Sequence, residues 1–103
     1  MEKPKMKTLL LTALLTISAP TIAETNKVDC SAVHALAEVV MKNRQLEISA
    51  VKMMEVAKDN ELGLLIIKEA YNRPAYSVES NQVKSIKRFA NEMFLACMEA
   101  NEK

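Results

Sequence analysis

The sequence predicts an all-α fold: a small bundle of about four short helices, closed by one disulfide and preceded by a signal peptide. Three observations carry that expectation. After residue 23 only Gly63 and Pro74 act as strong breakers, and no stretch sustains the period-two alternation of a strand. Apolar residues recur instead at helical spacing between the turn signals. Two cysteines, Cys30 and Cys97, stand near the two ends of the same region.

The first residues set the compartment. Met1-Glu2-Lys3-Pro4-Lys5-Met6-Lys7 is basic, Thr8 to Ala19 is apolar, and Pro20-Thr21-Ile22-Ala23 places small residues before a polar stretch. These are the three parts of a secretory signal peptide. The apolar run is about 12 residues, short of the roughly 20 that span a bilayer. Cleavage is expected after Ala23, giving a signal peptide over 1–23 and a single helical domain over 24–103, with no membrane span once the signal is removed. Met6 followed by Lys7 offers an alternative start. Lys27-Val28-Asp29 precedes Cys30 where a lipoprotein would need small residues, which argues against acylation.

Loss of Lys3, Lys5, Lys7 and Glu2 turns the formal charge from +1 to about −1. No basic stripe remains to bind nucleic acid. A domain of this size is marginal on its core alone. Two cysteines in an exported chain then read as one bridge, Cys30–Cys97. Closing so long a loop stabilises by about 4 kcal/mol on the chain-entropy model.

The first helix is expected from Asp29, as N-cap, to Asn43 or Arg44. Cys30, Val33, Ala37, Val40 and Met41 share its apolar face, with Leu36 beside them. Ser49 is expected to cap a second helix over Ala50 to Lys58, and Asp59-Asn60 to turn the chain. A third helix from Glu61 to Asn72 carries Leu62, Leu64, Leu65, Ile66 and Ile67, apolar nearly all round, and is expected to be the most buried element. Pro74 ends it. Ser77 is the expected cap of the last helix, with Val83, Ile86, Ala90, Met93 and Cys97 inward and Phe89 and Phe94 flanking. A bridge needs α-carbons within about 7 Å, so the first and last helices become antiparallel neighbours.

Catalytic signatures are missing. His34 is the only histidine and has no nucleophile or ligand cluster around it in sequence, so a packing role at the core boundary is favoured. Met41, Met53, Met54, Met93 and Met98 could suit Cu(I) in an exported protein, but they lie mostly at core spacing without a Met-x-Met repeat, so no metal is expected. Carboxylates are spread singly, from Glu38 and Glu47 to Glu69 and Glu92, each explained by a solvated helix face. Glycine-rich phosphate loops and nucleophile elbows do not occur. The expectation is a non-enzyme with no cofactor. Tyr71, Arg73 and Tyr76, around Pro74, form the candidate interaction loop, because these residue types anchor interfaces. The competing role is structural, with Tyr71 closing its helix and Tyr76 covering the bundle end.

The pattern of Cys30, Met41 with Arg44-Gln45, Ala70-Tyr71 with Pro74 and Tyr76, Phe89-Ala90 and Cys97 resembles a loose group of small exported helical proteins of Proteobacteria and their phages. Members of that group tend to carry glycine near Glu47, and the group implies no activity or catalytic residues. In plan, though not in motif, the chain is also similar to periplasmic acid-stress chaperones. The function expected is that of a periplasmic or secreted protein acting by binding, as an interaction or inhibitor module with an envelope or secreted protein as partner. The alternatives are an acid or envelope stress chaperone and a small-ligand or metal carrier. Nothing in the chain's composition sets an oligomeric state.

Overall fold

The computed structural model describes residues 27–102. The signal peptide and the Ala23 cleavage position lie outside them. Four helices follow in order: α1 Cys30–Gln45, α2 Ala50–Val56, α3 Glu61–Tyr71 and α4 Glu79–Asn101. No strand forms among the described residues, and none of these helices is long and apolar enough to cross a membrane.

Local chemistry sets most boundaries. The Asp29 carboxylate accepts hydrogen bonds from the Ser31 and Ala32 amides at 3.0 and 3.3 Å, capping α1. At the other end the Glu47 amide donates to the Arg44 carbonyl (2.9 Å) and the Ile48 amide to the Asn43 carbonyl (3.0 Å). That pair is a Schellman closure, which requires a left-handed residue. Glu47 supplies it, at φ 63°, a conformation that glycine adopts without a Cβ penalty. The Ser49 hydroxyl caps α2, and the Asn60 side chain caps α3 by accepting from the Gly63 amide at 3.0 Å. Helix α2 ends at Val56, two residues before the expected Lys58.

The cap expected at Ser77 does not form: α4 starts at Glu79 behind Val78, without a side-chain cap. Tyr76 is held on both sides instead, its amide donating to Gln45 Oε1 and its carbonyl accepting from Gln82 Nε2. The loop therefore continues through Ser77.

Helix α1 is the central element. It packs against α4 on one side and α3 on the other, α2 leans on α3, and the backbones of α3 and α4 scarcely approach each other. One core results, built from Val33, Ala37, Val40 and Met41 of α1 with Ile66, Ile67, Phe89 and Ala90. Three expectations are corrected by this layout. Helix α3 is not buried all round: Gly63, Ile66, Ile67 and Ala70 are buried while Leu62 and Leu65 are exposed, and α1 buries a similar share of its residues. Phe89 sits in the core with no exposed surface, because the α4 face that meets the bundle includes Phe89 beside Ala90. Val83, expected inward, is 43% exposed, near the start of α4.

Candidate functional site

The two ends of the bundle are closed by different means. At one end Cys30, in the first turn of α1, is bonded to Cys97 near the end of α4, with their α-carbons 5.5 Å apart. This pairing makes α1 and α4 antiparallel neighbours, as their helical phase requires. Asn101 ties the chain entry to the same place: its side-chain amide donates to the Val28 carbonyl (2.8 Å) and its oxygen accepts from the Val28 amide (3.2 Å).

At the opposite end, side chains clamp the α3–α4 loop to the end of α1. Gln45 is buried and uses both ends of its amide: Nε2 donates to the Pro74 carbonyl (3.1 Å), and Oε1 accepts from the Tyr76 amide (2.8 Å). Arg44 Nε donates to the Arg73 carbonyl at 2.9 Å, and its guanidinium lies 5.2 Å from the Tyr71 ring centroid. The Tyr71 hydroxyl donates to the Ile48 carbonyl at 2.5 Å. Burial raises its pKa above the ordinary phenol range, opposed in part by the Arg44 charge. Arg73 lies over the Phe89 ring, 4.9 Å from its centroid, and pairs with Glu92 of α4 and Glu69 of α3.

The structure thus places Tyr71, Arg73 and Tyr76 together, but with the polar ends of the first two turned to partners inside the domain. Tyr76 is the exposed member, at 38%. Gln45 carries this clamp, and its signal in the sequence is a polar residue four positions after Met41, in phase with the core stripe.

Because α3 and α4 diverge from the clamp toward the disulfide, they leave an apolar groove between them. Val33 lies at its floor, Leu62, Leu65 and Ile66 line one wall, and Met93 and Ala96 the other. It holds about 200 Å³. Leu62 is 37% and Leu65 56% exposed at its lip. Cys30 is buried, whereas Cys97 borders the groove and is half-buried, so the disulfide is less enclosed than two inward phases suggest.

The other singled-out residues lie apart from the clamp. His34 is half-buried, edge-on to Phe94 with ring centroids 6.1 Å apart. Met41 fills the core and Met53 accepts a hydrogen bond from the Asn43 amide, while Met98 faces solvent. Among the described residues no three His, Cys, Asp or Glu side chains converge on a point where a metal ion could be held. Comparison with protein-family models, with curated proteins and with solved structures finds no match to this chain.

Proposed function

We propose that this chain is an exported binding module that engages an envelope or secreted protein by taking apolar side chains of that partner into the α3–α4 groove. The groove carries the reading. Leu62 and Leu65 keep part of their apolar surface in water, being 37% and 56% exposed, and they sit beside other apolar walls rather than singly. Its volume of about 200 Å³ favours side chains over a carried small molecule, whose sites run from roughly 300 to 1,000 Å³. The Cys30–Cys97 bridge supports an oxidising compartment. In this reading the Tyr71–Tyr76 loop braces the groove, and Tyr76 contributes at its own end of the surface.

A photo-crosslinking residue placed at Leu65, with Val51 on exposed α2 as control, tests the proposal in the native host. A discrete protein adduct is expected from position 65 and none from 51. Absence of an adduct at 65, or equal labelling at both positions, rejects it.

A further inference from the structure

We infer that α4 is also a self-association surface, and that its occupant is the antiparallel α4 of a second copy of this chain. The inference is independent of the groove. Successive residues turn by about 100° on a helix, so Lys84, Asn91, Leu95 and Glu102 share a face directed away from Met93 and Cys97, which meet the bundle.

Charge on that outer face is segregated. Lys84, Lys87 and Arg88 occupy the N-terminal half of α4, and Glu99 and Glu102 its C-terminal end, all of them exposed. Between them Leu95 is 63% and Met98 46% exposed. Neither ion pair found among the described residues involves any of these charges. The helix itself gives no reason for the arrangement. A helix C-terminus favours cations, yet the last turn of α4 has no basic residue and carries glutamates.

Apart from Lys103, which follows Glu102 in the sequence, the cations of matching position are those of a second copy. Helix α4 has 23 residues, about 34 Å of length at 1.5 Å per residue. A two-fold axis at the level of Met93 sets Lys84 against Glu102 of the second copy and Arg88 against its Glu99. Leu95 and Met98 of both copies then lie between the charged ends. A parallel pair would set like charge against like, so the pattern selects the antiparallel, self-complementary arrangement. One helix face per copy falls below the roughly 1,200 Å² of stable complexes. The dimer is therefore reversible, forms at about micromolar concentration or above, and weakens as salt screens the end pairs.

Sedimentation of the oxidised protein tests this over a concentration series, with circular dichroism confirming equal helicity of every variant. The wild type is expected to show a concentration-dependent dimer that dissociates on raising salt. K84E/R88E alone and E99K/E102K alone are each expected to be monomeric, with association weakened at least about tenfold. An equimolar mixture of the two is expected to recover a heterodimer, because each variant then presents the charge its partner lacks. A wild type that stays monomeric, a single variant that associates as the wild type does, or a mixture that stays monomeric would overturn the inference.

Discussion

The disulfide end and the loop end of this bundle solve the same problem with different chemistry. At the disulfide end, one covalent bond between Cys30 and Cys97 joins α1 to α4 and asks little of the neighbouring side chains. Leu62, Leu65 and Ala96 are left facing an open groove. At the loop end no covalent bond exists, and closure is spread over Arg44, Gln45, Tyr71 and Arg73, each aligned with a particular partner. A staple leaves its surroundings free to bind something else. A hydrogen-bonded clamp consumes the residues that make it, which is why aromatic and arginine side chains typical of an interface are turned inward here.

The largest effect in this comparison comes from cutting the staple. Reduction, or Cys30→Ser with Cys97→Ser, should lower the unfolding free energy by about 4 kcal/mol, read from urea unfolding with and without reductant. That loss is comparable with the whole stability of a domain this small, so substantial unfolding in buffer is expected. Next comes the clamp. Gln45→Leu keeps the bulk but leaves the Pro74 carbonyl and Tyr76 amide unpaired, and should cost about 2 kcal/mol in the same measurement. In the opposite direction, Glu47→Gly should stabilise by about 1 kcal/mol, since glycine adopts the left-handed conformation at φ 63° without the Cβ clash.

The smallest effect depends on pH. Burial raises the Tyr71 pKa in the fold above that of the unfolded chain, so its contribution is present below the ordinary phenol range and is lost as pH rises through the folded value. The stability difference between wild type and Tyr71→Phe should be constant near pH 8 and shrink toward pH 12, followed by urea midpoints. Ionised Tyr71 can no longer donate to the Ile48 carbonyl, which is the physical content of that loss.

Much of this architecture is legible from local sequence. Asp29 and Ser49 cap the helices they precede, the α1 stripe from Cys30 to Met41 is buried residue for residue, and the cysteines meet as their helical phase demands. What escapes is information held between elements. The exposure of Leu65 follows from α4 failing to close over α3, which no periodicity within α3 reports. The shift of the α4 cap position from Ser77 to Val78 accompanies a grip on Tyr76 by Gln45 of α1 and Gln82 of α4 itself. Phe89 is central because its position on α4 falls within the face that packs on the shared core, beside Ala90. The groove is thus the feature least visible in the sequence, and it arises from the space between two helices rather than from either one.

The claim that side chains at the loop end are consumed in closure, while those beside the staple are free to bind, is tested most directly by urea unfolding of two variants side by side. Arg73→Ala removes the cation over Phe89 and the partner of Glu92, and should cost at least about 1 kcal/mol. Leu65→Gln keeps helix propensity at an exposed lip and should stay within about 0.5 kcal/mol of wild type. A neutral Arg73→Ala together with a Leu65→Gln that loses about 2 kcal/mol or more would contradict this division between the two ends.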